Sequence, residues 1–348
     1  MNPDRKHQTD IEPGQSWEVD LFRPEDAEGV VRLFRAVYGE GYPIRTFLDA
    51  ARLIEENAAG RVISSVVRTP KGDIVGHNAL FHSAPYTGIY ESGAGLVHPA
   101  YRGGAGVFTA MGVHGQETAA PRFGVEVIFG EPVCNHPFAQ KATAKQKWIT
   151  RAVEVDLMPA AAYVQEKSAP GRVTTLLDFR TLRPRPHRVY TPEAYEEALR
   201  FAYENLDDER EWVVSRETAP PHVQTVVTTQ VFAFAQVARL AVHETGADLA
   251  RVIGEAEQKL FSEGVLVIQV WLKASCPWIG QAVDTLRGQG YFFGGALLRW
   301  FDDDGLLLQK RSGTPCWDSI QLHYDRAKRL LDYVRRDWSR TVGAESEV

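Results

Sequence analysis

The sequence predicts an α/β (α+β) protein of two domains, each a mixed, mostly antiparallel sheet flanked by helices. Three observations lead there. Strand-like runs alternate with stretches of helical period. The succession of elements in residues 17–157 is echoed in outline across 188–311. A buried strand runs into a glycine-rich turn within Gly93–Phe108, and a helix starts directly after it.

At 348 residues the chain has room for two cores of ordinary size. Apolar residues make up 44% and charged residues 24%, the balance of a globular rather than a disordered chain. A formal net charge of −6 argues against a nucleic-acid partner, which calls for a basic excess. No apolar run approaches the ~20 residues that span a bilayer, so no membrane partner is expected. Met1–Gly14 is polar and lacks the apolar core of a secretory leader. Cys134, Cys276 and Cys316 lie far apart and are odd in number, as reduced thiols of a cytoplasmic protein would be.

Taken in order, residues 1–16 read as a loose arm, the first domain as 17–170 and the second as 171–348. Trp17–Leu21 alternates as a first strand. Beyond Pro24, a helix-start residue, Ala27, Val30, Val31, Phe34 and Val37 fall on one helical face. Gly39–Pro43 breaks that helix, and Ile44–Asn57 forms a second. Strands at Arg61–Arg68 and Ile74–His82 join through the turn Pro70-Lys71-Gly72-Asp73 as an antiparallel hairpin. Tyr86–Val97 is the next strand, Gly106–Thr118 a helix, and Val125–Gly130 a central strand. Asn135–Lys147 is a helix with Asn135 at its cap, followed by closing strands at Trp148–Leu157 and Val173–Leu182. The second half repeats the order: a strand at Arg188–Tyr190, a helix from Thr191 to Asn205, then strands over Val223–Phe234 and Ala235–Val242. A helix carrying Leu249, Ile253 and Leu260 follows, then a strand at Val265–Leu272 and a helix at Trp278–Gly288. A hairpin of Tyr291–Trp300 with Gly305–Lys310 closes it. Asp302-Asp303-Asp304-Gly305 reads as that hairpin's turn, since the spaced ligands of a calcium loop are missing. Tyr324–Trp338 is a last helix of mixed charge, packed on the outside.

The chemistry concentrates in the turn after the strand ending at Val97. Glycines there let the backbone approach a ligand and adopt positive φ. Successive N–H groups entering a helix make an anion site, and Arg102 adds a fixed cation. The expected occupant is a diphosphate.

Val97-His98-Pro99-Ala100-Tyr101-Arg102-Gly103, followed by a glycine-rich helix start, resembles the acyl-CoA loop of the GCN5-related N-acetyltransferase superfamily. The family pattern is Arg or Gln, two residues, Gly, one residue, then Gly or Ala. Here the third residue after Arg102 is Ala105, and the glycine arrives one place later as Gly106. The resemblance covers residues 17–157, and 188–311 only by the order of elements. It implies two acyl-CoA N-acyltransferase-like domains in tandem, the second degenerate. It further implies acetyl-CoA or another acyl-CoA as co-substrate, no metal, and transfer to the amine of a small molecule or peptide. Backbone groups of Leu96, Val97 and His98 would hold the pantetheine arm. The N–H groups of Gly103, Gly104, Ala105, Gly106, Val107 and Phe108 would bind the pyrophosphate. Asn135 is either a contact to the cofactor arm or a plain helix cap.

Glu91, eleven residues before Arg102, is the first candidate general base, because histone-type members of the family carry a glutamate at a similar distance. The alternative is a solvated or ion-paired edge glutamate. Glu131, just past the next strand, is the second candidate. The tyrosine that usually protonates the leaving thiolate has no counterpart in Gln140–Lys145. The second junction, His243-Glu244-Thr245-Gly246-Ala247-Asp248, carries two acids and no arginine, and should repel a diphosphate. The second domain would then wall off the acceptor cleft or mediate contacts in a homodimer. The rival reading is a non-catalytic acyl-CoA-binding or regulatory module.

Overall fold

The computed structural model describes residues 11–42, 44–103, 106–160, 171–206 and 208–345. The chain divides into two compact units, Met1–Phe129 and Gly130–Val348.

The first unit opens with β1 (Glu18–Leu21) and α1 (Ala27–Tyr38). Pro24 starts the helical turn that leads into α1, and Val30, Leu33 and Phe34 on its inner face are buried. Below that turn Arg68 donates from Nε to Asp26 Oδ1 at 2.6 Å and from Nη2 to the Leu21 carbonyl at 2.7 Å, fastening the entry of α1 to the sheet. A short 3-10 turn precedes α2 (Ala50–Ala58), whose cap is Asp49, accepting from the Arg52 N–H at 3.1 Å. Three long strands follow, β2 (Val62–Arg68), β3 (Ile74–Phe81) and β4 (Ile89–Val97). Then come α3 (Val107–His114), the single turn α4 (Ala120–Arg122) and β5 (Val127–Gly130). The sheet order is β1-β2-β3-β4-β5, antiparallel except for the parallel pair β4 and β5. Helix α3 widens to a π turn at Gly115–Ala119, ahead of Pro121, which has no N–H to continue the α ladder. Two cores flank the sheet, one under α1 and α2 (Val30, Phe34, Phe47, Leu53, Leu96) and one under α3 (Val67, Val75, Val97, Val107, Met111).

The second unit begins with α5 (Phe138–Lys145). It starts three residues later than expected, and its cap position is Pro137 rather than Asn135. The cause is local: the residue before a proline is driven out of the helical region, so the helix forms only after Pro137. Strands β6 (Ile149–Met158) and β7 (Val173–Thr181) pair antiparallel. Next come β8 (His187–Thr191), α6 (Glu196–Ala202) and β9 (Arg210–Val214), with β8 and β9 forming a separate parallel pair. The remaining strands are β10 (Val226–Phe232), β11 (Val237–Glu244), β12 (Val267–Lys273), β13 (Phe292–Phe301) and β14 (Asp303–Arg311). They are interleaved with α7 (Leu249–Ser262) and α8 (Ile279–Gly288), and α9 (Asp325–Glu345) closes the unit. The strands order as β7-β6-β13-β14-β12-β11-β10, with β11 and β12 parallel. Where β6 meets β13, Gly295 has φ +137, and a Cβ there would stand 2.4 Å from the Ala152 Cα. Only glycine lets those two strands touch.

The chain therefore has the expected fold class, a mixed and mostly antiparallel sheet flanked by helices. The expected cut after residue 170 falls between β6 and β7, which are partners. Of the acidic run read as the hairpin turn, only Asp302 lies between β13 and β14, and Asp303, Asp304 and Gly305 already belong to β14. Asp304 in it is fully buried and accepts from Arg210 Nε at 2.8 Å, with His187 Nε2 at 3.1 Å. Helix α9 packs through one buried face, Ala327, Leu330, Leu331 and Val334. No helix among the described residues is long and apolar enough to cross a membrane.

Candidate active site

Strands β4 and β5 run together for three residue pairs, Ile89 with Val127, Tyr90 with Ile128 and Glu91 with Phe129. The ladder goes no further, although β4 continues to Val97. β5 ends at Gly130, and Pro132 two residues on has no N–H to offer a neighbouring strand. Beyond Glu91, strand β4 thus has an edge turned away from β3 along which β5 does not pair. Residues 91–95 are half-buried in the middle of a strand whose ends are buried.

The same stretch is irregular toward β3. His77 pairs with Leu96 and Ala79 with Gly93, so one residue of β3 faces two of β4. This is a β-bulge, and Ala94 in it has φ +50. The Ala94 carbonyl is turned to His77 Nδ1 at 3.0 Å, and His77 Nε2 lies 3.0 Å from Ser64 Oγ. The imidazole is fully buried beside the stacked rings of Phe34 and Phe47, each 5.3 Å away. Burial pushes its pKa down to about 4, so it is neutral at physiological pH.

Past the bulge, Leu96 and Val97 send their side chains into the two cores, leaving only backbone for a ligand. The His98 N–H donates to the Val75 carbonyl at 2.8 Å, and its own Nδ1 accepts from the Ala100 N–H at 3.3 Å. Pro99–Tyr101 makes one 3-10 turn, pinned by the buried Tyr101, whose hydroxyl donates to the Glu12 carbonyl at 2.7 Å. Arg102 is exposed and donates from Nε to the Val97 carbonyl at 3.0 Å. Gly103 (φ +88) and Gly106 (φ +67) are both left-handed, and Gly106 occupies the cap of α3. Gly104 and Ala105 lie outside the described residues. Val107 is buried, while Phe108 is 46% exposed. The first-turn N–H groups of α3 have no intrahelical acceptor and face the turn with the positive end of the helix dipole.

Glu91 stands where the β4–β5 ladder stops, half-buried, opposite Phe81 of β3. Its Oε1 is 3.3 Å from where a Cβ on Gly93 would be. Burial above all, with the nearby Tyr38 and then the Glu91 charge adding to it, holds the Tyr42 phenol well above its ordinary pKa. Tyr42 stacks on the partly exposed Tyr38 with ring centroids 5.0 Å apart. A carboxylate, two tyrosines and an unpaired strand edge therefore share one neighbourhood.

In the second unit, Glu131 is held by Arg239 Nη2 at 2.9 Å, and the same nitrogen reaches the buried Glu154 at 3.2 Å. Phe232 and Trp271 cover the guanidinium at 5.3 and 5.5 Å. Asn135 is buried three residues ahead of α5. On α5, Thr143 donates to Asp178 at 2.6 Å, and a phenol absent from the helix itself arrives from far along the chain. Tyr324 donates to the same carboxylate at 3.1 Å and sits 2.9 Å from Thr150 Oγ1. No local sequence pattern could announce that contact between residues 146 positions apart.

The second junction is built differently. β11 and β12 stay paired over five residues, Val237–Ala241 with Val267–Trp271. Gly246 lies against the backbone of Gln224 and Thr225, where a Cβ would come within 2.4 Å. Thr245 accepts from Trp278 Nε1 at 2.7 Å. The cavity left there has a volume of about 40 Å³, far below that of a cofactor.

No protein-family model matches the sequence, and no curated protein does either. Among solved structures, the ribosomal-protein-S5-alanine acetyltransferase of Vibrio fischeri is similar at 12% identity and a TM-score of 0.38, covering 50% of this chain and 95% of that one. An N-acetyltransferase of Staphylococcus aureus Mu50 shows 11% identity and a TM-score of 0.40, covering 48% and 99%. A putative acetyltransferase of Salmonella typhimurium, solved with its cofactor acetyl-CoA, shows 12% identity and a TM-score of 0.39, covering 49% and 96%.

Proposed function

We propose that the first unit is an acyl-CoA-dependent N-acyltransferase, with acetyl-CoA as the first co-substrate to test. The observation that carries it is the parting of β4 from β5 after Glu91, directly upstream of a turn with two left-handed glycines at the mouth of α3. A thioester arm can pair with the vacant strand edge as an added strand would. The pyrophosphate would meet the N–H groups entering α3 and the Arg102 cation.

In the reaction, the amine nitrogen bonds to the thioester carbon and the carbonyl pair moves onto oxygen. The pair then returns, the C–S bond breaks, and its electrons leave with sulfur. Glu91 takes the proton whose loss frees the nitrogen lone pair, the proton shed after attack passes to water, and the thiolate takes one from water. The tyrosines beside Glu91 suit an acceptor that arrives as an ammonium ion, since aromatic faces attract cations.

The second unit is, in this reading, a degenerate copy: β11, α7, β12, α8 and the β13–β14 hairpin repeat the expected order, with the cofactor turn closed over Gly246. Its part is structural, and a homodimer is compatible with it.

Thiol release from acetyl-CoA, followed over a panel of amines that includes a polyamine and an alanine-initiated peptide, tests the proposal. Glu91→Gln is expected to retain acetyl-CoA binding and lose about 100-fold in turnover. A second reading, acyl-CoA binding without transfer, is favoured by the missing tyrosine on α5. Binding without thiol release from any amine would select it.

A further inference from the structure

We propose that strand β10 is a dimerisation edge: it adds antiparallel to the β10 of a second copy of this chain, about a two-fold axis at Thr229. The inference gives a surface to the homodimer named above and does not depend on acyl transfer.

β10 (Val226–Phe232) is the last strand of its sheet. It is held by β11 on one side and, among the described residues, by no strand on the other. An edge strand leaves alternate N–H and C=O groups pointing outward, ready to pair with another strand. Proteins blunt such edges with short strands, charged side chains, prolines or bulges. The edge strand of the first unit follows that rule: β1 is four residues long and carries Glu18 and Asp20. β10 does not. It has seven residues without a proline or a charge, and its register shift lies at its very start, between Val226 and Val227.

The neutrality reaches beyond the strand. Val223–Ala238 contains no Asp, Glu, Lys or Arg, although the chain as a whole is 24% charged. This is what selects a second copy over an unrelated partner. A foreign strand can answer a charge with its opposite, so an edge built for one has no need to be neutral. A strand that meets its own sequence across a two-fold axis sets like charge against like charge, which destabilises the pair.

The exposed side chains point the same way. Val226 is 50% exposed, Val231 47%, and Phe234 in the turn to β11 57%. Thr228, Thr229 and Gln230 are exposed as well, so both faces of the strand's middle stand in solvent. Centred on Thr229, the antiparallel pair sets Val227 opposite Val231 and Val226 opposite Phe232 of the second copy. Pairs of β-branched and aromatic side chains of this kind stabilise adjacent strands.

Sedimentation velocity on the full chain, without acetyl-CoA and from low to high micromolar concentration, tests the proposal. Wild type is expected to pass from monomer to dimer. Thr229→Lys and Thr229→Glu each place like charges on the axis and are expected to stay monomeric. An equal mixture of the two variants sets Lys against Glu and is expected to recover the dimer. Wild type that is monomeric throughout overturns the proposal, as it would if an extended peptide of another protein covers this edge. A dimer that both variants retain overturns it too, and so does a mixture that fails to associate. Should either variant not fold, hydrogen exchange of wild type decides. The β10 amides gain protection as concentration rises if the proposal holds, and exchange alike at every concentration if it does not. No acyl-CoA is present, so each of these results leaves the acyl-transfer reading where it stands.

Discussion

His77 and Glu154 are both fully buried titratable groups, and their burial acts on stability with opposite signs. His77 has its pKa lowered from 6.5 to about 4 in the folded chain. Between those values the unfolded chain binds the proton and the folded chain refuses it. Acidification through this window therefore weakens the fold, by up to roughly 3 kcal/mol. Glu154 is raised from its ordinary 4.5 by burial and by the nearby Glu131. Here the folded chain keeps the proton longer, so stability falls as pH rises from the carboxylate range toward neutrality. Urea titrations from pH 4.5 to 7.5 separate the two: His77→Asn should remove the acid-side loss and Glu154→Gln the loss at higher pH. Parallel profiles for wild type and His77→Asn would contradict the buried neutral imidazole.

At the scale of elements, the glycine turn and the strand before it were legible in the sequence, because glycine spacing and Arg102 announce a turn by local chemistry. What surrounds them was not. His77 looked like an ordinary histidine, since its partner Ala94 is defined only by the register of β3 against β4. Asn135 looked like a helix cap because the cap residues are right, but Pro137 moved the start of α5. β9 was missed because five residues flanked by charge give no alternation to read. The turn itself makes a prediction at this scale. Gly106→Ala forces a Cβ into the left-handed cap of α3 at a cost of roughly 1–2 kcal/mol. It should lower the melting temperature and weaken acetyl-CoA binding together. Unchanged values of both would mean that the left-handed cap is not needed.

For the whole molecule, the telling contrast is between two junctions at which a parallel strand pair meets a following helix, one in each unit. In the first, the parallel strands part after three pairs. In the second, five pairs persist, and the chain before β10 lies across Gly246. On the proposed function, this contrast predicts one acyl-CoA per chain, held by the first unit. Calorimetric titration of acetyl-CoA into wild type and Arg102→Glu is the most direct measurement. Micromolar binding at one site per chain in wild type, lost in Arg102→Glu, is the predicted result. No heat with acetyl-CoA or longer acyl-CoAs, or binding indifferent to Arg102, would contradict the account.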